Sequence, residues 1–283
     1  MHPVLGGSLG TCFDAAVLPE TAGYTMWFSW RDRGGIGRAV SQDGRNWTNI
    51  QLVFCGKLES TWRHEVNRPT VVRQKDRYLM WYTGQTATTA AIGIAESHDG
   101  IQWTDVQQSP VLSAAESWEA SSVMCPNVVC LDDSGYQMWY SGGGQFEPKA
   151  IGYAQSKDGV HWQRIAAPVF TADGRFFDCA RVAGSCVVPH NGEYLMFYIG
   201  FRSIEESGIC LAKSPNGYAQ WNRYPLNPIL TPGNQSDAWD YDAVYRPTVL
   251  QEKDRWMLWY NGRRDALEQI GLAIHPGLNL GWA

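Results

Sequence analysis

The stretch "IGIAESHDGIQW" at residues 92–103 decides the fold, because the chain repeats it. "IGYAQSKDGVHW" follows at 151–162, and "IGRAVSQDGRNW" (36–47) and "ICLAKSPNGYAQW" (209–221) are looser copies. An aromatic run precedes each copy: "YTMWFSW" from 24, "YLMWYTG" from 78, "YQMWYSG" from 136 and "YLMFYIG" from 194. A fifth, "WMLWYNG", starts at 256, and the starts lie 54, 58, 58 and 62 residues apart. Ahead of each aromatic run stands a short apolar one: "AAVL", "PTVV", "PNVV", "SCVV" or "PTVL". Short runs rich in Val, Ile, Tyr and Trp, bounded by Gly, Asp and Asn, are strands. Nothing shows the spacing of a long amphipathic helix.

Each unit therefore reads strand, turn, strand, loop, strand, Asp-Gly turn, outer strand. Five such units predict an all-β fold: a five-bladed β-propeller with four-stranded antiparallel blades, one domain over residues 1–283. In the middle units the tryptophan after the Asp-Gly turn leads into "SPVL" (109), "APVF" (167) or "NPIL" (227). In the fifth unit "IGLAI" leads to Trp282, and the matching piece stands at the other end as "HPVL", residues 2–5. The expectation is a ring closed by the N-terminal strand, which also removes exposed sheet edges.

Composition narrows the function. Of 283 residues 13% are aromatic and only 18% charged, with a net charge of −5. That excludes a disordered chain and speaks against nucleic-acid or membrane-surface binding. The start, "MHPVLGGSLGTCFD", lacks the basic and apolar regions of a signal peptide, and no apolar run reaches the ~20 residues of a membrane span. Seven cysteines without CxxC spacing argue against a zinc site or a disulfide framework, and fit buried thiols in a reducing cytoplasm. No metal or other cofactor is expected.

The Ser-x-Asp-Gly-x-x-Trp turns recur too regularly to be a site, so they are read as scaffold. Differences between copies are more informative, and they concentrate on the first strand. Asp14 of "CFDAAVLP" is matched by Arg68, Cys125, Gly184 and Arg246. The loops just upstream read "TWRHEVNR" (61–68), "SWEASSVMC" (117–125), "FDCARVAG" (177–184) and "WDYDAVYR" (239–246). They bring acids beside aromatic rings. A funnel lined by carboxylates, arginines and aromatics suits sugars, because rings stack on pyranose faces and two carboxyl groups flanking a glycosidic bond cleave it. Asp14, kept ionised by an arginine, is the candidate nucleophile or base, and Glu119 or Asp178 the candidate acid. His64, Glu65, Arg68, Trp118, Arg181, Asp242 and Arg246 are candidate substrate-binding residues.

On these features the sequence resembles the five-bladed propeller glycoside hydrolases, families 43, 32, 68 and 117, with the phosphorylases of family 130 as relatives. The resemblance spans the chain and rests on the five units, the terminal closure, the repeat motif and the acid on the first strand of unit one. It implies that Asp14 is the nucleophile or general base. The helper aspartate of families 43 and 32 often precedes a proline, and here that slot holds Cys125-Pro126; Ala183-Gly184-Ser185 of unit four also lacks an acid. Family 117 uses a histidine acid, which would point to His64.

The reading is a cytoplasmic glycoside hydrolase that cleaves a terminal sugar from a glycoside or oligosaccharide. A phosphorylase or transglycosylase, and a non-catalytic carbohydrate-binding propeller, are the alternatives. Arg63, Arg68, Arg181 and Arg246 near one opening lead to the expectation of an anionic substrate or co-substrate.

Overall fold

The computed structural model describes residues 2–131, 134–144 and 147–282. Among these residues the ordered elements are strands and three short 3-10 turns. Unit one pairs β1 (Cys12–Glu20), β2 (Gly23–Trp30), β3 (Gly35–Ser41) and β4 (Thr48–Cys55) in that order. Unit two pairs β5 (Glu65–Gln74), β6 (Arg77–Gln85), β7 (Ala90–Ser97) and β8 (Thr104–Asp105). In unit three β9 (Ser122–Cys130) lies against β10 (Tyr136–Gly144), followed by β11 (Glu147–Ser156), β12 (Gln163–Arg164) and β13 (Phe170–Thr171). Unit four pairs β14 (Arg181–His190), β15 (Glu193–Phe201), β16 (Ser207–Ser214) and β17 (Asn222–Arg223). Unit five pairs β18 (Ala243–Gln251), β19 (Arg255–Arg264) and β20 (Leu267–Pro276). The paired neighbours of units one, two, four and five, and β10 with β11 in unit three, run antiparallel, which two-residue turns such as Asn191-Gly192 permit because both residues take positive φ.

The second strands form the core. Trp27, Trp81, Trp139 and Trp259 of units one, two, three and five are fully buried, as are Tyr82, Tyr140 and Tyr260 beside the last three and Tyr198 beside Phe197 in unit four. Each of these tryptophans also has a polar end, and the Asp-Gly or Asn-Gly turn of the neighbouring unit satisfies it. Trp27 Nε1 donates to Gly100 O at 2.9 Å, Trp81 to Gly159 O at 2.9 Å and Trp139 to Gly217 O at 2.7 Å. Trp259 of unit five donates to Gly44 O of unit one, also at 2.9 Å. A Cβ on any of these glycines would meet the indole within about 3 Å, and each has positive φ, so the turn requires glycine twice over. The turn is built by its own side chains: Ser97 Oγ accepts Gly100 N–H, and Asp99 Oδ1 accepts the N–H groups of Ile101 and Gln102. These motifs are scaffold, as their regularity implied.

The outer positions repeat as well. Leu112 bridges Ile92, Phe170 pairs with Ile151, and Leu230 bridges Ile209. At the corresponding Ile270 of β20 the partner is Leu5: Val4 N–H donates to Ile270 O at 2.7 Å, and Ile270 N–H to Leu5 O at 2.9 Å. The "HPVL" piece thus takes the place of "SPVL" and "NPIL". It joins β20 itself, while Trp282 packs edge-on against Tyr224 of unit four. Leu5, Met257, Trp259 and Ile270 share one apolar cluster with Met26 and Phe28 of unit one.

Candidate active site

The five first-strand positions matched in sequence share one backbone conformation. Asp14, Arg68, Cys125, Gly184 and Arg246 have φ of 51°, 54°, 55°, 51° and 51°. Register shifts at Phe13/Ala16, Asn67/Thr70, Ala183/Cys186 and Tyr245/Thr248 show why: each is a bulge that re-aims one side chain out of the pleat. A non-glycine residue with positive φ costs of order 1–3 kcal/mol and must be held. In four units the preceding unit's second strand holds it. The backbone N–H of Arg68 donates to Ser29 Oγ, of Cys125 to Thr83 Oγ1, of Gly184 to Ser141 Oγ and of Asp14 to Asn261 Oδ1, at 2.7–3.1 Å.

Asp14 is buried and doubly tied. Asn261 Nδ2 donates to its Oδ1 at 2.6 Å, and Arg68 Nε lies 3.3 Å from its Oδ2. Arg68 is itself positioned by Asn67 Oδ1 at 2.6 Å and Gln85 Oε1 at 3.1 Å. A cavity of about 400 Å³ opens here, lined by Phe13, Trp30, Arg31, Glu65, Arg68 and Gln85 among others. It is large enough for a monosaccharide and has both apolar rings and hydrogen-bonding groups.

Three further groups face the same region. Cys125 stands where the resemblance would put a helper acid. Burial pushes its thiol up, against the pull of Arg246 and Arg68, so it stays neutral and does not replace a carboxylate. Arg246 does not pair with Asp14: Nη1 donates to Ser185 O at 3.0 Å and Nη2 to Pro126 O at 3.1 Å. It thereby ties units three and four to unit five from the buried inner strands. Glu268 of β20, which sequence comparison missed, is buried, accepts the Tyr245 hydroxyl and pairs with Arg31 Nη1 at 2.5 Å. Its counterparts two residues before Ile36, Ile92, Ile151 and Ile209 are Gly34, Ala90, Lys149 and Ser207. The same search for an odd acid among sister strands, applied to the third strand, would have found it.

Glu119 and Asp178 are not brought to Asp14. Glu119 is fully buried in unit three, where its carboxylate accepts Tyr140 OH at 2.7 Å and the N–H of Ala115 and Glu116, and pairs with Arg164 at 2.7 Å. Asp178, also fully buried, accepts Tyr198 OH and pairs with Arg223 at 2.8 Å. Unit two makes the same strut with the charges exchanged: Arg63 contacts Tyr82 OH and pairs with Asp105 at 2.5 Å. In unit five Asp240 accepts Tyr260 OH at 3.0 Å. In units two to four these residues tie a lead-in loop to the second and outer strands of their own unit, and in unit five Asp240 ties it to the second strand. In unit one the tyrosine position is Phe28, which has no hydroxyl to offer. The aromatic-acid pairs therefore sit six residues upstream of the bulge in units three to five, and only in unit one on the bulge itself.

The other candidates divide similarly. Glu65 is exposed and lines the cavity, whereas His64 is exposed outside its lining. Trp118 stacks on Tyr140 with centroids 5.9 Å apart and donates to Ala166 O at 2.8 Å, which makes it packing. Arg181 lies over the Phe201 ring at 4.4 Å. Asp242 accepts the Asp265 N–H at 2.6 Å and so braces the turn between β19 and β20. Among the described residues no group of three or more His, Cys, Asp or Glu side chains is arranged to hold a metal ion, and no helix is long and apolar enough to cross a membrane.

Residues 126–274 match the family described as "Glycosyl hydrolases family 32 N-terminal domain". An uncharacterized protein of Mycobacterium tuberculosis (strain CDC 1551 / Oshkosh) is 29% identical over 279 residues, covering 89% of this chain and 87% of that protein. A solved structure described as "Glycoside hydrolase" superposes with a TM-score of 0.80 at 16% identity, covering 98% of this chain and 92% of its own. Another, titled "The GH130 family of mannoside phosphorylases contains glycoside hydrolases that target beta-1,2 mannosidic linkages in Candida mannan", gives 0.74 at 16% identity, covering 96% and 87%. At those identities the structural likeness shows the fold.

Proposed function

Because the chain belongs to the family of the glycosyl hydrolase family 32 N-terminal domain, we propose that it is a glycosidase removing a terminal, neutral sugar, with Asp14 as the attacking or base carboxylate. One observation carries this reading. Of five equivalent bulge positions aimed inward, Asp14 alone holds a carboxylate, clamped by Arg68 and Asn261 beside a sugar-sized cavity. The proton donor is Glu65, which lines that cavity and opens the strand bearing Arg68. Glu119 and Asp178, with their oxygens committed to struts, stay out of the chemistry. As the glycosidic C–O bond breaks, its electron pair goes to the departing oxygen, which takes the Glu65 proton. Asp14 either bonds to the sugar carbon or removes a proton from the water that does.

The five units are read as one closed five-bladed propeller, a single domain over residues 1–283. Support comes from three links between unit five or the N-terminus and its neighbour: Trp259 to Gly44, Asn261 to Asp14, and Val4 to Ile270. The buried thiols of Cys12, Cys125, Cys186 and Cys210 support a reducing, cytoplasmic setting.

A neutral sugar is favoured because the arginines counted toward an anion are largely occupied: Arg63 by Asp105, Arg68 by Asp14, Arg246 by two carbonyls. The test is a panel of aryl glycosides, with and without inorganic phosphate, on wild type and Asp14→Asn. Hydrolysis of one neutral glycoside, lost about a hundredfold or more in the variant, is expected. Turnover only with phosphate would make the protein a phosphorylase. Sugar binding without any turnover would make it a binding module.

A further inference from the structure

We infer that the protein binds one small monovalent anion, of chloride size, in a second cavity among its first strands, held by Arg246 and Ser185. The inference does not depend on the glycosidase reading. This cavity, of about 190 Å³, is walled by β1, β5, β9, β14 and β18, mostly downstream of their bulges. It shares no lining residue with the cavity beside Asp14. Of the five bulge residues only Arg246 lines it, whereas Arg68 lines the other. The wall contains no Asp or Glu, and Val17, Val71, Val128, Val187 and Val249 make much of it apolar.

The charges on the bulges do not balance. Asp14, their one carboxylate, goes to Arg68, and Arg246 is left with the carbonyls of Ser185 and Pro126. Arg246 is only 4% exposed and forms no ion pair among the described residues. Carbonyl dipoles do not cancel a unit charge, and a buried charge without a counter-charge is costly. The neighbouring thiols do not supply one: burial pushes both Cys125 and Cys186 up, so each stays neutral. Two donors are also left over. Arg246 Nε and Ser185 Oγ meet no hydrogen-bond partner among the described residues, and Ser185 is 1% exposed. Buried donors are nearly always paired. The other polar groups of the wall are engaged: Thr70 Oγ1 accepts Val128 N–H, Asn127 Oδ1 accepts Val187 N–H, and Thr248 donates to Ala15 O. One excess positive charge and two spare donors match one monovalent anion. A doubly charged oxyanion would overcompensate the charge and find too few donors. With about 30 Å³ for each water, the volume holds the ion and a few waters.

The experiment follows the melting temperature of protein exchanged into gluconate while chloride or bromide is titrated in at constant ionic strength. A saturable rise of about 2–4 °C or more is expected. Screening of surface charge does not distinguish anions at one ionic strength, so equal melting in chloride and gluconate would overturn the inference. Ser185→Ala should raise the half-saturating chloride concentration about tenfold, the loss of one hydrogen bond to a charge. Arg246→Met, which removes the charge at similar length, should abolish the dependence. A chloride response unchanged in Ser185→Ala would overturn the assignment even if Arg246→Met fails to fold. Arg68→Lys should keep the response, and its loss there would move the anion to the other cavity. Bromide anomalous diffraction then locates the ion: a peak beside Arg246 Nε and Ser185 Oγ is expected. A peak elsewhere, or none, overturns the inference in favour of water alone at these donors. A peak at molar bromide without a saturable shift in solution marks an adventitious ion only, and overturns it as well.

Discussion

Asn261 of β19 grips Asp14 of β1 twice, accepting its backbone N–H at 2.8 Å and donating to its Oδ1 at 2.6 Å. One amide therefore fixes a strained bulge and orients the carboxylate that does the proposed chemistry. The two residues lie 247 positions apart, in the last sheet and the first. Joining the two sheets and positioning Asp14 are the work of one side chain.

Replacing Asn261 by Leu should hurt both properties at once. The buried Asp14 N–H loses its acceptor, at about 1–3 kcal/mol, and the bulge loses its clamp. Urea unfolding should show a lower midpoint, and kcat should drop with little change in KM. A variant as stable and active as wild type would remove Asn261 from both roles.

Glu119→Gln and Asp178→Asn should behave in the opposite way to Asp14→Asn. Each leaves an arginine, Arg164 or Arg223, without its buried partner, a loss of about 3 kcal/mol or more. Stability should fall while kcat/KM, measured well below the unfolding midpoint, stays within a few-fold. A hundredfold loss of activity in a folded Glu119 or Asp178 variant would return that residue to the chemistry.

The sequence misled at these two residues for a physical reason. Trp118-Glu119 and Phe177-Asp178 resemble Phe13-Asp14 in composition, but they stand six residues before the bulge, on loops facing their own sheets. The corrective signal was present on the outer strand. Two residues after the turn tryptophan come Asp105, Arg164 and Arg223, each opposite in charge to Arg63, Glu119 and Asp178 on the lead-in loops. Phe28 replaces the tyrosine in unit one, the unit without the strut. Asp14 was legible because the repeat supplies its own alignment. The Arg68–Asp14 pair could be guessed from adjacency, whereas the turn of Arg246 toward Pro126 and Ser185 depends on side-chain direction, which no spacing encodes. The sheet-forming units were legible because turn glycines and buried tryptophans recur at one period.

Leu5→Ala tests the terminal contact. Leu5 is as buried as Leu112, its counterpart in unit two, and each bridges a fully buried isoleucine. Both alanine variants should lose about 2–5 kcal/mol. If Leu112→Ala destabilises and Leu5→Ala does not, the N-terminal segment contributes no more than a frayed end, and closure through it is wrong.

Alkaline titration should expose the tyrosines of the struts. Burial raises the hydroxyls of Tyr82, Tyr140, Tyr198 and Tyr260 above their ordinary value near 10, and Glu119 adds to this at Tyr140. A raised folded-state value means that the folded protein keeps protons the unfolded chain releases. Stability from these groups is therefore complete below pH about 10 and declines above it. Absorbance at 295 nm should show some tyrosines ionising only with loss of the fold, and Tyr140→Phe should flatten the decline. A smooth titration of every tyrosine in a folded protein would contradict the buried struts.

Arg68→Lys and Arg246→Lys distinguish the sugar from an anion. Arg68 uses Nε toward Asp14 and Nη1 toward Asn67 and Gln85, a fork that a single ammonium does not reproduce. Its replacement should reduce kcat on neutral glycosides and on their uronic or phosphorylated counterparts by the same factor, because Asp14 is disturbed in every case. Arg246 donates to the carbonyls of Ser185 and Pro126 in a buried position, so Arg246→Lys should lower the melting temperature and touch both substrates equally. Were either variant to lose activity selectively on the charged substrate, a guanidinium would be holding its anion through paired hydrogen bonds. The neutral-sugar assignment would then give way to an acidic one, with Asp14 still the attacking group.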